Sequence, residues 1–311
     1  MAECEKSSMS TLVLGYGSIG MRHARILSDM GQQTAVVSSR MVDFPNVYSS
    51  LVEAIEEGKP KYVVIANSTH AHHESLVALA ELQYSGVLLV EKPLFDIFRS
   101  LPEHSFRDVY VAYNLRFHPI IQRLMELLEN ETVLSVQAYV GQHLPDWRPG
   151  VDYRKSYSAS ARQGGGALRD LSHELDYLLW MLNGWERVAA LGGHFSPLEI
   201  DSDDVFAMML VTPRCPVVSI QMNYLDRVGR RSIIFNTSRH TIRADFIQGT
   251  ITIDRNTETH TAERDFTYRA MHEAILCGNT GNLCTMSEGL ETMRLIKAVE
   301  EASRTQLWVN R

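Results

Sequence analysis

A glycine-rich turn near the N-terminus constrains the fold of this 311-residue chain more than any other segment. Residues 15–20 read Gly-Tyr-Gly-Ser-Ile-Gly, directly after a short apolar run and at the start of a segment with helical spacing. In such a turn the first glycine permits the tight bend, the second lets the backbone approach a pyrophosphate, and the third lets the helix pack on the strand. The positive end of the helix attracts the anion. The pattern predicts a dinucleotide site formed by Gly15, Gly17, Ser18, Ile19 and Gly20.

The end of the second predicted strand bears on which dinucleotide is bound. A carboxylate there would hold the ribose 2′-hydroxyl of NAD, whereas an arginine accommodates the 2′-phosphate of NADP. The chain has Ser38, Ser39 and Arg40 at this place, and no carboxylate before Asp43. Because the planar guanidinium of Arg40 can pair with a phosphate, we expect NADP to be preferred over NAD. The alternative is that Arg40 is a solvated loop charge and that Ser38 serves NAD.

Two different patterns of strands divide the chain. Through residue 119, five short apolar runs alternate with segments of helical spacing, which is typical of a parallel sheet covered on both faces. From residue 120, strand-like runs follow one another with few helices between them, which favours an antiparallel sheet. We predict an α/β protein with an N-terminal Rossmann domain, a doubly wound parallel sheet, at residues 1–119. A C-terminal α+β domain with an open, mainly antiparallel sheet follows at residues 120–311, and its last helix is a candidate to pack back on the first domain.

The composition excludes several classes of partner. Thirty Lys and Arg against 37 Asp and Glu give a net charge of −7, which disfavours nucleic acid and anionic membranes. The four cysteines lack CxxC spacing, and no apolar stretch reaches the ~20 residues of a membrane span. The N-terminal residues contain no apolar run of the kind found in signal peptides. We expect a cytoplasmic protein with reduced thiols that binds neither nucleic acid nor membrane.

Two clusters of potential metal ligands have simpler explanations. Three histidines crowd together within residues 70–73, but no acidic partner accompanies them, and a loop and helix start beneath the cofactor explains them better. Asp201, Asp203 and Asp204 precede a strand-like run. A solvated turn explains these carboxylates, because calcium needs more oxygen ligands in a defined loop. We therefore expect no metal.

Four further segments carry polar residues after predicted strands or on a predicted helix. They are Ala-Asn-Ser-Thr-His-Ala-His at 66–72, Glu-Lys-Pro at 91–93, Tyr-Asn-Leu-Arg-Phe-His-Pro at 113–119, and Gly-Gly-Gly-Ala-Leu-Arg-Asp-Leu-Ser-His-Glu-Leu-Asp at 164–176. Together with the glycine turn, they resemble the Gfo/Idh/MocA oxidoreductases over nearly the whole chain. The resemblance implies a dinucleotide fold followed by an α/β domain whose open sheet often forms an oligomer interface. It also implies hydride transfer between a nicotinamide and a carbohydrate carbon.

The resemblance assigns roles to individual residues. Lys92 matches the family's catalytic lysine, and His173 matches its catalytic histidine. Asn67 and Glu91 would lie beside the nicotinamide. His72 is grouped with these cofactor-side residues, and the resemblance gives it a structural role.

One departure from the family pattern precedes the catalytic histidine. The family usually has an aspartate four residues before it, where this chain has Arg169, and an acid three residues after it, where Asp176 fits. Asp170 lies three residues before His173 instead. Positions three and four apart share a helix face, so Asp170 is a candidate to orient His173 or to contact substrate.

The chemistry requires such groups, because oxidation of an alcohol needs a base for the hydroxyl proton while the hydride leaves the carbon. We favour His173 as the acid/base and Lys92 as its partner on the reacting oxygen, with the opposite assignment open. Before the triple glycine, arginines could grip a carboxylate or phosphate and an aromatic ring could stack on a sugar, so Arg148, Arg154 and Tyr157 are candidates for substrate contact. A polar surface loop is the alternative. The predicted substrate contacts are Asn114, Arg116, Arg154, Tyr157, Asp170, His173 and Asp176.

The leading hypothesis is an NAD(P)-dependent dehydrogenase or reductase acting on a CH–OH group of a sugar or sugar derivative. An acidic or nucleotide-linked sugar of surface-glycan biosynthesis is the favoured class. The alternatives are a non-catalytic NAD(P)-binding regulator of the same fold, and an epimerase or lyase that oxidises its substrate transiently with retained cofactor. The open sheet predicts a homodimer or homotetramer through the C-terminal domain.

Overall fold

A computed structural model describes residues 8–101, 103–147 and 149–311, which fold into two compact units. The first unit contains residues 8–95, 99–114 and 264–289, and the second contains residues 96–98, 115–263 and 290–311. The first change of unit thus lies before the predicted boundary at residue 119. Residues 264–289, which the sequence placed in the second domain, belong to the first unit. The predictions for Arg148 and for the N-terminal segment through Ser7 lie outside the described residues.

The first unit contains a parallel sheet of the predicted doubly wound type. Its strands follow the order β3-β2-β1-β4-β5-β6, and each of these neighbouring pairs is parallel. Every residue of the two central strands β4 and β5 is buried, as expected where helices cover both faces. In chain order the elements are β1 (Ser10–Leu14), α1 (Ser18–Asp29), β2 (Gln33–Val37), β3 (Val47–Tyr48), α2 (Leu51–Glu56), β4 (Tyr62–Ile65), α3 (His72–Glu81), β5 (Val87–Val90) and β6 (Asp108–Val111).

The second unit is built on a long, mainly antiparallel sheet. Its elements begin with α4 (Pro119–Leu128), β7 (Val133–Gly141), α5 (Ala167–Asp170), α6 (His173–Leu182), β8 (Arg187–Gly193), β9 (Val205–Thr212), β10 (Cys215–Asn223), β11 (Arg230–Thr237), β12 (Thr241–Asp245), β13 (Thr250–Ile253) and β14 (Asn256–Thr259). The chain then adds α7 (Phe266–Cys277) and β15 (Cys284–Thr285) to the first unit, where β15 pairs with β6, and ends with α8 (Met286–Thr305) and β16 (Val309–Asn310).

The nine strands of the second sheet lie in the order β14-β13-β12-β11-β7-β10-β9-β8-β16. Neighbouring strands are antiparallel except for β7 and β10, so the predicted fold class is confirmed for both sheets. Burial alternates along β9, which shows that one face packs on a core while the other is open. The open face carries a groove lined by Tyr139, Leu191, Met209 and Leu307, among others.

The helical prediction differs from the structure in two places. The sequence predicts a single helix that carries both Asp170 and His173, but the helix is interrupted at Leu171. The ψ of Leu171, 19°, lies outside the helical region, and a new helix begins after Ser172. His173 is therefore the first residue of α6, and Asp170 does not share a helix with it. Helix α7 was not predicted, because its buried face includes Thr267 and His272 and lacks a plain apolar stripe. No helix in the described ranges is long and apolar enough to cross a bilayer.

Candidate functional site

Three adjacent strands of the first unit end side by side at the carboxyl edge of its sheet. Leu14, Ile65 and Val90 are register partners on β1, β4 and β5. The glycine turn begins one residue after β1, while Asn67 and Lys92 are each the second residue after their strand. Ligands of open α/β sheets bind at this edge, near the point where the strand order reverses. The sheet thus brings together three motifs predicted to face the cofactor.

The geometry of the glycine turn explains the choice of residue at two positions. Gly15 has a φ of +97°, and a Cβ atom there would lie 2.7 Å from the backbone of Asn67. A Cβ atom on Gly20 would lie 2.1 Å from the carbonyl oxygen of Gly15. A Cβ atom on Gly17 would meet nothing within 4 Å. Gly15 and Gly20 therefore serve close packing, whereas the space next to Gly17 is open to a ligand.

The start of α1 is suited to an anion. Gly17 is its N-cap residue, no described side chain caps this end, and the first turn contains no acidic residue. The first amide groups of any helix, here those that begin at Ser18 and Ile19, have no partner within the helix. These amides and the helix dipole fit the pyrophosphate of a dinucleotide.

The segment after β2 is exposed at Ser39 and Arg40. Ser38 is half-buried, and its hydroxyl both accepts a hydrogen bond from the Arg40 amide at 3.1 Å and donates one to the Arg40 carbonyl at 3.0 Å. This local turn fixes the backbone and leaves the Arg40 guanidinium at the surface. Across the glycine turn, the Tyr16 ring lies 5.7 Å from that of Phe44.

Asn67 is held by a set of short-range contacts after β4. Its Nδ2 donates to the Ser75 hydroxyl at 2.8 Å, while its buried Oδ1 has no donor among the described residues. His72 is buried between two carbonyl oxygens, that of Leu94 at 3.1 Å and that of Asn67 at 3.2 Å. Burial lowers the pKa of His72, so the ring is neutral and can donate to one of them. Asn67 thus offers an acceptor suited to an amide such as that of nicotinamide, and His72 ties its backbone to the segment after Lys92.

Lys92 is half-buried and follows a carboxylate that is fixed on both oxygens. Glu91 Oε2 accepts from the Lys92 amide at 3.1 Å, and Oε1 lies 2.7 Å from His23 Nε2 on α1. His23 in turn contacts His272 of α7, and His272 contacts Tyr62 of β4. We call these four residues, Glu91, His23, His272 and Tyr62, the Glu91 chain. Sequence reasoning missed its two histidines, whose partners lie far away along the chain.

Asn114, a predicted substrate contact, follows β6 at the same edge of the first sheet. Its Nδ2 donates to the Thr267 hydroxyl of α7 at 2.6 Å, and its side chain is buried. The structure therefore gives Asn114 a packing role within the first unit, and its contact with substrate stays a prediction.

In the second unit, the segment around the predicted catalytic histidine is braced by buried polar contacts. His173 is half-buried at the first position of α6. Asp170 is buried, and its Oδ2 accepts from the Ser158 hydroxyl at 2.6 Å and from the Tyr224 hydroxyl at 2.7 Å. These contacts hold the turn between α5 and α6, which carries His173.

Arg116 and Asp176 form an ion pair inside the second unit. Arg116 donates from Nε to Asp176 Oδ2 at 2.9 Å and from Nη2 to Oδ1 at 2.7 Å. Their side chains are 1% and 2% exposed, and the guanidinium also lies 4.9 Å from the Trp180 ring. The pair joins the segment before α4 to α6, and its predicted role in binding substrate stays untested.

In the loop before the three glycines at 164–166, the positively charged side chain predicted to contact substrate lies at the surface. Arg154 is exposed and pairs with Asp152 at 2.8 Å and with Glu199 at 3.1 Å. Tyr157 is half-buried nearby along the chain. Arg169, which stands where the family has an aspartate, donates to the Asp96 carbonyl at 2.8 Å and pairs with Glu300 at 2.6 Å.

Two of the three aspartates predicted to form a solvated turn, Asp203 and Asp204, are structural, which corrects that interpretation, whereas Asp201 is exposed. Asp204 is fully buried and accepts from the amides of Phe195 and Ser196. Asp203 accepts from the Leu168 amide at 2.9 Å at the start of α5, and burial raises its pKa to about 6. Backbone amides in this part of the second unit thus donate hydrogen bonds to these carboxylates.

Comparison with known proteins agrees with this architecture. Residues 121–243 match the family model described as the GFO/IDH/MocA C-terminal domain. No curated protein sequence matches significantly. Among solved structures, a levoglucosan dehydrogenase in complex with NADH superimposes with a TM-score of 0.83 at 16% identity, covering 98% of this chain and 99% of that one.

Two further structures have the same fold. GenD2 from gentamicin A biosynthesis, in complex with NAD, has a TM-score of 0.80 at 20% identity and covers 98% of this chain and 97% of that one. The WlbA dehydrogenase from Bordetella pertussis, in complex with NADH and UDP-GlcNAcA, has a TM-score of 0.80 at 16% identity, with 98% of both chains covered. The family model thus supports the resemblance over residues 121–243, and the solved structures, at 16–20% identity, show that the fold is shared over nearly the whole chain.

Proposed function

We propose that this chain belongs to the Gfo/Idh/MocA family and transfers a hydride between a nicotinamide dinucleotide and a carbon of a sugar derivative. One observation carries the proposal. The glycine turn, Asn67 and Lys92 follow three strands that end in register at one edge of the first sheet. An anion cradle, an amide acceptor and an ammonium at one such edge suit a dinucleotide whose nicotinamide lies near the lysine.

The chain's own residues would perform binding and proton transfer. The amides that begin at Ser18 would hold the pyrophosphate, and Asn67 would hold the nicotinamide amide. His173 would exchange a proton with the reacting oxygen of the substrate, and Lys92 would stabilise charge on the same oxygen. The bound dinucleotide supplies the hydride acceptor or donor.

We propose NADP as the preferred cofactor, on the exposed Arg40 and the absence of a carboxylate between β2 and Asp43. The structural relatives described above carry NAD or NADH, so this preference would distinguish the chain from them. For the substrate we propose an acidic or nucleotide-linked sugar. Arg154 would turn from its exposed carboxylate partners to an anionic group of the substrate, because exposed ion pairs are weak.

We further propose that a second copy of the chain covers the open face of the nine-stranded sheet. Leu191, Met209 and Leu307 are 61%, 41% and 67% exposed on or beside this face. Apolar side chains grouped in this way are typical of an interface. Light scattering should give the mass of a dimer or tetramer for the natural sequence and a smaller mass for Leu191→Glu. A monomeric natural protein would contradict this part of the proposal.

The experiment that tests the function is a turnover assay with both dinucleotides and a panel of neutral, acidic and nucleotide-linked sugars. At least one sugar should change the nicotinamide absorbance, and Lys92→Ala or His173→Ala should each remove most of that turnover. Lys61→Ala and His240→Ala replace exposed residues of the same types and should behave as the natural sequence does. Dinucleotide binding without turnover of any sugar would favour the non-catalytic regulator. Near-full turnover in both test variants would contradict the mechanism.

A further inference from the structure

The Glu91 chain is a continuous line of hydrogen bonds through the interior of the first unit. Glu91 Oε1 lies 2.7 Å from His23 Nε2, His23 Nδ1 lies 2.8 Å from His272 Nε2, and His272 Nδ1 lies 2.8 Å from the Tyr62 hydroxyl. His23, His272 and Tyr62 are fully buried, and Glu91 is 7% exposed. The line connects α1, α7 and β4 to the residue that precedes Lys92.

The number of protons on the Glu91 chain decides the direction of its hydrogen bonds. Burial lowers the pKa of His272 well below its ordinary value, and His23 and Arg269 lower it further, so His272 is neutral and has one N–H. Burial raises the pKa of Tyr62, which therefore keeps its O–H. The Tyr62 hydroxyl has no acceptor other than His272 among the described residues.

These constraints favour one arrangement. Tyr62 donates to His272 Nδ1, His272 donates from Nε2 to His23 Nδ1, and His23 donates from Nε2 to Glu91. Every donor then has an acceptor, and Glu91 is a carboxylate. The reversed arrangement needs one additional proton on His23 or Glu91 and leaves the Tyr62 O–H without an acceptor, which is costly in a buried site.

Other charged and titratable groups surround this line. Tyr268 meets the His23 ring edge-on at 5.4 Å, and Arg22 lies 4.4 Å above the Tyr268 ring and pairs with Asp265 at 2.7 Å. Arg269 lowers the pKa of His272 through its charge, whereas Tyr84 is uncharged because burial raises its pKa. Among these groups, Glu91 alone is hydrogen-bonded to the Lys92 backbone.

We propose that His23, His272 and Tyr62 are positioning residues for Lys92. They fix Glu91 as an oriented carboxylate, whose second oxygen anchors the Lys92 amide and whose charge favours the ammonium form of the Lys92 side chain. The inference rests on the proposed function for the role of Lys92. The arrangement of protons on the Glu91 chain does not depend on that function.

The arrangement is tested by nitrogen NMR of histidine-labelled protein, without any substrate. His272 should be neutral with its proton on Nε2 from roughly pH 6 to pH 9. Tyr62→Phe removes the O–H that donates to Nδ1 and keeps the ring, so the Nδ1 resonance of His272 should shift as that hydrogen bond is lost, while the proton stays on Nε2. Tyr84→Phe removes another buried hydroxyl of the same unit, one bonded to the Val87 carbonyl, and should leave His272 unchanged. A His272 proton on Nδ1 in the natural sequence would overturn the inference.

The consequence for Lys92 is tested by the pH dependence of kcat/KM. Glu91→Gln keeps the shape of the Glu91 side chain and removes its negative charge. The limb of the kcat/KM profile that reports the ionisation of Lys92 should therefore move to lower pH by about one unit. Tyr62→Phe should move it in the same direction and Tyr84→Phe should not. If turnover requires Lys92 but Tyr62→Phe behaves as Tyr84→Phe does, the inference fails and the proposed function stands. If no sugar is turned over, the proposed function fails and the NMR result alone decides the inference.

Discussion

Removal of one partner of the Arg116–Asp176 pair should strongly destabilise the second unit. Two hydrogen bonds of 2.9 and 2.7 Å join side chains that are 1% and 2% exposed. Asp176→Asn removes the carboxylate charge that accepts two hydrogen bonds from the buried Arg116 guanidinium, and breaking a buried pair on one side costs about 3–5 kcal/mol. For a unit of this size that loss lowers Tm by roughly 6–20 °C. The double variant Arg116→Met/Asp176→Leu removes both charges and should recover most of the stability.

Tryptophan fluorescence during thermal unfolding is the suitable assay, because all four tryptophans lie in the second unit. Arg154→Met breaks an exposed pair and should leave Tm close to that of the natural sequence, which makes it the matched control. An Asp176→Asn variant that has the same Tm as the natural sequence but a raised KM for the sugar would refute the reasoning. In that case the pair would act on the substrate, as the sequence predicted.

Three further predictions concern the cofactor turn and one buried acid. Gly17→Ala should leave Tm unchanged but weaken dinucleotide binding at least tenfold. Gly20→Ala should lower Tm, because its Cβ atom would lie 2.1 Å from the Gly15 carbonyl oxygen. Calorimetry with and without NADP separates the loss of stability from the loss of binding. Arg40→Ala should raise the KM for NADP about tenfold and leave that for NAD unchanged, and equal effects on both would count against the predicted preference. Asp203 holds its proton more tightly in the folded state, with a pKa of about 6, so its contribution favours folding at low pH and is lost as the pH rises from about 4 through 6. Urea unfolding across this range should show a flatter pH dependence for Asp203→Asn than for the natural sequence, and parallel curves would contradict the assignment.

Local patterns were sufficient to predict the cofactor half of the fold. The glycine turn, the apolar strands and the intervening helical spacing all act over a few residues, so β1, α1 and β5 lie where the sequence placed them. The alternation of strands and helices also implies crossover connections, which parallel neighbouring strands require.

Long-range polar partners could not be predicted in the same way. His23 and His272 lie 249 residues apart, and His272 belongs to α7, which an apolar pattern does not reveal. The pairing of Arg116 with Asp176 joins positions 60 residues apart. Nothing local distinguishes such buried ion pairs from substrate-binding side chains, because the same residue types serve both roles.

The acidic residues before β9 illustrate the same limit. Their composition suggested a solvated turn, whereas the fold uses them to accept hydrogen bonds from otherwise unpaired amides. A carboxylate is a strong acceptor for such groups, so the cost of burial is offset by the backbone that it satisfies.

The central claim is that a hydride passes between the nicotinamide and a sugar carbon, and label transfer measures this most directly. NADPH carrying deuterium at the transferred position, incubated with the oxidised form of a sugar identified in the turnover assay, should yield a sugar product with one deuterium, detected by mass spectrometry. The label should appear far more slowly with Lys92→Ala and His173→Ala. A reduced product without deuterium, or label released to water, would contradict the account.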